Sequence, residues 1–181
     1  MDSLLCIRET KLNQMEIRPL NENDEAKYWD LRLEALQSEP FAFGKAPEEH
    51  QAISVEAQAA RFREMQLDFT LGAFEGDDLI GMATFIREKG RKERHKGRIY
   101  GVYVTRSQRG RGVGRKLIQS LLEKAKEDPS LEQVLLAVGA RQESARQLYR
   151  KLGFDSFGTE PRALKIASEY IDEEHLILRL R

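Results

Sequence analysis

The chain has 181 residues, and its 30 lysines and arginines are balanced by 30 aspartates and glutamates, so the formal net charge is zero. This length suits one domain with a real hydrophobic core. The charge balance argues against wholesale binding to nucleic acid or membrane. Cys6 is the only cysteine, which excludes an intramolecular disulfide and favours a reducing, cytoplasmic location. No apolar run approaches the roughly 20 residues of a membrane span.

Residues 1–14 come before the first regular pattern of the chain. Their apolar stretch is too short for a convincing signal peptide. We therefore expect residues 1–14 to form a flexible N-terminal extension and residues 15–181 to form a single domain. Within that domain, MEIRPL (15–20) alternates between apolar and polar residues like a short first strand.

The first half of the domain reads as a helical segment followed by two strands. After Asn23, which suits an N-cap, residues 24–38 repeat apolar side chains at helical spacing. A loop with proline and glycine follows, and a second helix is predicted from Pro47 or Glu48 to about Met65. DFTLGAFE (68–75) and LIGMATFIRE (79–88) are predicted to be two strands joined by a tight turn.

The second half alternates strands and helices. A strand is predicted at 98–105, a helix from about Gly112 to Lys126, and an apolar strand at 131–138, of the kind that is covered on both faces. A short helix at 144–152 ends at Gly153, and two strands near 154–160 and 170–180 close the chain. This order predicts an α/β protein with a single mixed central sheet of about six to seven strands, flanked by about four helices.

QRGRGVGRKL (108–117) joins the predicted strand at 98–105 to the next helix and contains three glycines and four cations. It fits neither the dinucleotide fingerprint G-x-G-x-x-G nor the nucleotide-binding motif G-x-x-x-x-G-K-[ST]. Free N–H groups and the positive end of a helix still favour an anion here, with extra charge from Arg109, Arg111 and Arg115. The alternative is a glycine-rich turn with no function of its own.

RGRGVG (109–114) is similar to the (Q/R)-x-x-G-x-(G/A) motif of the GNAT superfamily of acetyltransferases. VYV (102–104) lies just upstream as in that family, and ESARQLYRKLGF (143–154) resembles its late helix and strand. The resemblance extends over roughly residues 15–180 in element order. It implies the GNAT fold and acetyl-CoA as the co-substrate, with the pyrophosphate bound by the loop.

The resemblance also implies which residues bind the cofactor. Backbone groups of the strand pair with the amides of pantetheine as another strand would. Gln142 occupies the position at which the family often has an asparagine that contacts pantetheine. Because glutamine has the same side-chain amide, the resemblance implies that Gln142 makes this contact. The implied cofactor-binding residues are Val102, Tyr103, Val104, Arg109, Gly110, Arg111, Gly112, Val113, Gly114 and Gln142.

Tyr149 has two interpretations. With Ala145, Leu148 and Leu152 it lies on one face of a helix, and this spacing alone favours a core tyrosine. The resemblance implies instead a catalytic role, because many GNAT enzymes use a tyrosine in this context to protonate the departing CoA thiolate. A tyrosine with an ordinary pKa of about 10 is protonated at neutral pH and can act as a general acid.

These observations predict an acetyl-CoA-dependent N-acetyltransferase in which a primary amine attacks the thioester directly. The acceptor stays open between a small-molecule amine and a protein amino group, and a homodimer is one candidate for the oligomeric state. A non-catalytic acyl-CoA-binding sensor or partner module is the main alternative. A second alternative, binding of nucleic acid through the basic stretch 87–98, has less support, because no aromatic residues lie between its charged residues. No metal is expected, since the three histidines are scattered.

The sequence offers no obvious general base. Histone-lysine acetyltransferases of the superfamily carry a glutamate on the strand before the loop, and Arg98 occupies that position here. Residues 99–102 contain no carboxylate either, and His95 is the remaining candidate from its unperturbed pKa near 6.5. We therefore expect the amine to lose its proton through water or before it binds.

Overall fold

The computed structural model describes residues 15–64 and 67–180, so the expected extension at 1–14 lies outside the described residues. One sheet contains all seven strands that the structure describes, in the order β1-β2-β3-β4-β5-β7-β6. The strands are β1 (Met15–Pro19), β2 (Phe69–Glu75), β3 (Asp78–Arg87), β4 (Lys96–Val104), β5 (Gln133–Gly139), β6 (Asp155–Ile166) and β7 (Glu169–Arg179). The predicted α/β fold with a mixed sheet is confirmed.

Five α-helices lie within the described residues, and none of them is long and apolar enough to cross a membrane. They are α1 (Glu25–Ser38), α2 (Pro47–Gln51), α3 (Val55–Glu64), α4 (Val113–Ala125) and α5 (Glu143–Lys151). The main core lies on the sheet face covered by α4, whose Leu117, Ile118 and Leu121 are fully buried. On the opposite face, Leu31 and Ala35 of α1 pack with Met82 and Tyr103.

The sheet opens between its two central strands. β4 and β5 are the only parallel neighbours in the described sheet, and they pair at just three positions, the last of which joins Arg98 to Leu135. Both strands continue beyond that point, β4 to Val104 and β5 to Gly139. Their carboxyl ends therefore diverge and leave a wedge. Crevices outside the carboxyl ends of parallel strands are where α/β sheets bind ligands.

Three predicted elements differ from the structure. The helix predicted from Pro47 to about Met65 is divided into α2 and α3, because the Ser54 hydroxyl accepts a hydrogen bond from the Ala57 N–H and starts a new helix. The cap predicted at Asn23 is Asn21, which caps a short 3₁₀ turn ahead of α1. The strand predicted near 154–160 continues to Ile166 through two irregularities in its pairing with β7.

Helix α5 is attached to the sheet by a buried carboxylate on β7. Glu174 is 6% exposed, and its oxygens accept hydrogen bonds from Arg146 Nε at 2.6 Å and Arg150 Nη2 at 3.0 Å. Burial alone would raise the pKa of Glu174, but hydrogen bonds from Arg146, Ser156 and Arg150 outweigh it and lower that pKa to about 2. The charged form of Glu174 thus stabilises the folded state.

Replacing Glu174 with glutamine should lower the free energy of unfolding at pH 7 by about 2 kcal/mol. This is less than the full pKa shift implies, because the two arginines are partly exposed. Since folding lowers the pKa, the stabilisation is present above the ordinary glutamate pKa and disappears as the pH falls toward 2. Thermal unfolding between pH 3 and pH 7 should show the two proteins converging at low pH. Glu169→Gln, which removes an exposed pair with Arg141, should change little at either pH; a pH-independent deficit in Glu174→Gln would contradict this account.

Candidate active site

Strand β4 contains a bulge beside the wedge. Tyr100 lies opposite Thr84 and Tyr103 lies opposite Met82, so Gly101 and Val102 together face a single residue of β3. Gly101 has φ +60°, a left-handed conformation that a residue without Cβ adopts at little cost. The bulge turns the last part of β4 away from the regular pleat. Sequence analysis did not single out Gly101, although a lone glycine within a strand pattern is the usual signal of a bulge.

Beyond the bulge, none of the described strands pairs with the edge of β4 that faces β5. The Thr105 N–H donates to the Ile80 oxygen on β3 at 3.0 Å. Because main-chain groups alternate in direction along a strand, the N–H and C=O groups of Val102 and Val104 point the other way, into the wedge. The Val104 oxygen accepts a hydrogen bond from Arg109 Nε at 2.9 Å. The remaining groups of this edge are available to an extended ligand.

The side chain of Tyr103 lies on the face of the sheet that α1 covers, opposite the main core beneath α4. It is 4% exposed, and its hydroxyl lies 2.9 Å from Ser38 Oγ and donates to Glu34 Oε1 at 2.8 Å. These bonds tie β4 to α1. Of the three strand residues that we expected to bind the cofactor, Tyr103 therefore has only its backbone near the wedge, and its side chain positions the strand.

The glycine loop follows β4 directly and leaves its backbone open. Gly110 and Gly112 have φ +78° and +80°, and beyond the two chain neighbours no atom of the described residues lies within 4 Å of the position that a Cβ would take at either glycine. Gly112 is the N-cap of α4, so the first N–H groups of this 13-residue helix point into the loop. At Gly114, a Cβ would lie 3.6 Å from Leu148 and 3.7 Å from Val104. The loop thus closes against both β4 and α5.

Two of the loop arginines are paired with carboxylates. Arg109 Nη1 lies 2.8 Å from a Glu39 oxygen, and Arg111 Nη2 lies 2.8 Å from a Glu75 oxygen. Arg115 is exposed and forms no ion pair with any residue of 15–64 or 67–180. The local charge is therefore less positive than the sequence suggests. Backbone N–H groups are the main unoccupied donors of the loop.

Helix α5 lies against the loop and carries Tyr149. The Gln142 N–H donates to the Gly139 oxygen at 2.8 Å, which starts α5 directly from the end of β5. Tyr149 is 5% exposed, its ring contacts Phe154 edge-on, and burial raises the pKa of its hydroxyl above the usual value. Within the described residues no hydrogen bond uses that hydroxyl, and the hydroxyl is not among the fully enclosed atoms without a partner. It is thus protonated at neutral pH and free to donate.

The opposite mouth of the wedge lies on the α1 side of the sheet. Tyr100 on β4 is 51% exposed, and Ala137 on β5 is exposed as well. The loop between α1 and α2 crosses nearby, with the Phe41 oxygen 3.1 Å from the position of a Cβ on Gly139. A molecule on this side can therefore approach the bulge of β4 from the face opposite α4.

None of the candidate bases from the sequence is well placed. His95 precedes β4 and so lies at the far end of that strand from the glycine loop. Arg98 occupies the position at which histone-lysine acetyltransferases carry a glutamate. Its Nε donates a hydrogen bond to Glu88 Oε1 at 2.7 Å, so the Glu88 carboxylate is paired with this arginine. Glu173 lies opposite Gly139 on β7, and burial is the largest cause that raises its pKa. Glu173 is therefore a carboxylate near the wedge that sequence analysis did not single out.

Known proteins provide independent comparisons. Residues 29–154 match the acetyltransferase (GNAT) family. The chain is 31% identical over 81 residues to the L-methionine sulfoximine/L-methionine sulfone acetyltransferase of Pseudomonas aeruginosa, covering 45% of this chain and 46% of that protein. A second relative, an uncharacterised protein of Mycobacterium leprae, is 35% identical over 92 residues, which are 51% of this chain and 24% of that protein. The matched segments thus span less than half the length of these relatives.

Solved structures share the fold over nearly the whole chain. A GNAT-family acetyltransferase from Streptococcus pneumoniae superposes with a TM-score of 0.84 at 20% identity, covering 92% of this chain and 100% of that one. An acetyltransferase from Salmonella typhimurium, solved with its cofactor acetyl-CoA, gives a TM-score of 0.81 at 20% identity, covering 93% and 95%. Because the family match covers most of the chain, the chain belongs to the GNAT family of acetyltransferases.

Proposed function

We propose that this chain transfers the acetyl group of acetyl-CoA to a primary amine by direct attack, with Tyr149 as the general acid. The unpaired edge of β4, which leads straight into an open glycine loop, carries this proposal. An edge strand suits the two amides of pantetheine, and N–H groups at the start of α4 suit a pyrophosphate. Acetyl-CoA fits both features at once.

The proposed cofactor site consists of strand, loop and helix residues with distinct tasks. Val102 and Val104 supply the donor–acceptor ladder for pantetheine, and Gly110, Gly112 and Gly114 admit the phosphates to the backbone. The N–H groups of Val113 and Gly114 begin α4, and the Gln142 amide lies at the start of α5. Arg109 and Arg111 add donors at the rim of the loop from their places beside Glu39 and Glu75.

The proposed reaction has a simple balance of bonds. The nitrogen lone pair of a neutral amine attacks the thioester carbonyl carbon, a C–N bond forms and the C–S bond breaks. A backbone N–H near Val102 polarises the carbonyl oxygen, and the Tyr149 hydroxyl gives its proton to the leaving sulfur. The amine loses its proton to water. A proton from solvent then restores the Tyr149 hydroxyl.

A small-molecule acceptor is the better supported of the two acceptor classes. The relative from Pseudomonas aeruginosa is an acetyltransferase for L-methionine sulfoximine and L-methionine sulfone, two small amines that are also amino acids. Incubating the protein with acetyl-CoA and a library of small amines and N-terminal peptides, followed by mass spectrometry, tests this. Products heavier by one acetyl group should appear among the small amines. Acetylation of peptides alone would contradict the small-molecule assignment.

The rate should depend on pH through the acceptor and not through one enzyme carboxylate. Below the pKa of the acceptor amine, kcat/KM should rise about tenfold per pH unit, because only the neutral amine attacks. The apparent pKa should move when acceptors of different basicity are compared. Glu173→Gln should preserve this rising limb. A fixed apparent pKa near neutrality that disappears in Glu173→Gln would show instead that Glu173 is a dedicated base.

A further inference from the structure

Arg32 on α1 is a half-buried cation without a counter-ion. Its Nη1 atom is fully enclosed and has no hydrogen-bond partner, and within the described part of the chain no ion pair involves this arginine. Its guanidinium carbon lies 4.6 Å from the centroid of the Phe43 ring. A cation–π contact recovers part of the cost of burying such a charge, but an unpaired buried charge is otherwise strongly unfavourable.

The guanidinium group of Arg32 lies beside the bulge at the mouth of the wedge. Nη1 is 3.6 Å from the position that a Cβ on Gly101 would take, and Thr84 Oγ1 is 3.9 Å from the same position. Arg32 belongs to α1, so it approaches β4 from the face opposite α4. This is the side on which exposed Tyr100 and Ala137 leave the wedge open. Arg32 is therefore next to the point at which an acceptor would meet the thioester.

The surroundings of Arg32 are rich in positive charge. Burial lowers the pKa of Lys45, and the charges of Arg61 and Arg32 lower it further, while Glu49 acts in the other direction. The pKa of buried His50 is lowered as well, first by burial, which keeps that ring neutral. The positive charges of Arg61 and Arg32 thus both act on Lys45, and Glu49 opposes them there. Such an arrangement favours an anionic group from outside the chain.

We propose that Arg32 binds a carboxylate of the acceptor, which makes the substrate a small amine with a carboxylate close to its reacting nitrogen, as in an α-amino acid. The proposal rests on the acetyl-transfer function given above. Only one carbon separates the amine from the carboxylate in such a molecule. A carboxylate held by Arg32 would therefore place the amine beside Gly101 and Val102, where the thioester carbonyl is expected.

The test compares amino acids with their carboxamides, which have nearly the same shape without the negative charge. We expect the wild-type protein to acetylate α-amino acids with a kcat/KM, expressed per neutral amine, at least about tenfold above that of the matching amides. Arg32→Gln should reduce this ratio roughly 10- to 100-fold, as expected for losing a charge-assisted pair, mainly through a higher KM for the acid. Comparing the ratio between the two proteins cancels the different basicities of the two amines.

Two further variants keep the test decisive. Arg63→Gln, which removes an exposed arginine of α3 paired with Glu22, should retain the wild-type ratio. Arg32→Lys keeps the charge and should retain part of the preference, and thermal unfolding should show all variants folded. Equal use of acids and amides by the wild type, with kcat/KM expressed per neutral amine, or an unchanged ratio in Arg32→Gln, would overturn the proposal while leaving acetylation of amines intact. Absence of acetylation with every amine would instead refute the proposed function itself, and this proposal with it.

Discussion

Replacing Tyr149 with phenylalanine should lower kcat roughly 10- to 1,000-fold, the scale expected when a general acid is lost. The substitution removes one hydroxyl and keeps the ring that packs against Phe154. Since that hydroxyl has no hydrogen bond within the described residues, the free energy of unfolding should hardly change. Steady-state release of CoA, measured with a saturating acceptor, reports the effect directly.

The control for this substitution is Tyr170→Phe. Tyr170 is 40% exposed on β7, and its ring centroid lies 3.7 Å from the guanidinium carbon of Arg162. This variant should turn over at the wild-type rate. If Tyr149→Phe also keeps the wild-type kcat while chemistry is rate-limiting, Tyr149 is a core residue and another group or water protonates the sulfur.

Replacing Gly112 with aspartate should weaken binding of acetyl-CoA by about 100-fold, equivalent to about 3 kcal/mol. The new carboxylate would lie where we expect the pyrophosphate and would repel it at short range. Space is available, because nothing lies within 4 Å of the Cβ position, and aspartate tolerates the left-handed conformation of this residue better than most side chains do. Isothermal titration calorimetry gives the dissociation constant.

Gly158→Asp provides a control for the added charge. Gly158 lies on β6, at the edge of the sheet and separated from β5 by β7 in the order β4-β5-β7-β6, and beyond its two chain neighbours no described atom lies within 4 Å of its Cβ position. It therefore receives the same new carboxylate outside the glycine loop. Acetyl-CoA should bind this variant as tightly as the wild type. Equal binding by Gly112→Asp would show that the loop does not hold the pyrophosphate.

The sequence predicted the elements well wherever local chemistry decides the structure. Alternation marked β1, a tight turn between two strands marked β2 and β3, helical spacing marked α1 and α4, and Gly153 marked the end of α5. The break between α2 and α3 was missed, because the capping bond of the Ser54 hydroxyl competes with an unbroken helical pattern. The glycine-rich connection from a strand to a helix was predicted from its composition, and Gly112 is the N-cap of α4 at that place.

Long-range contacts could not be read from the sequence in the same way. Arg109 and Arg111 were expected to act on a ligand, yet their partners Glu39 and Glu75 lie 70 and 36 residues away along the chain. Sequence analysis did not single out Arg32, and only the fold places it beside Gly101. Nothing local in the sequence reveals which strand edge stays unpaired, because that depends on the divergence of β4 from β5.

The most direct test of acetyl transfer follows CoA thiol and acetylated amine together in one reaction, with the best acceptor from the amine library. We predict that thiol release depends on the amine and that the two products appear in equal amounts over many turnovers. Tight binding of acetyl-CoA without any amine-dependent thiol release would contradict the account and identify the chain as a binding module for acyl-CoA.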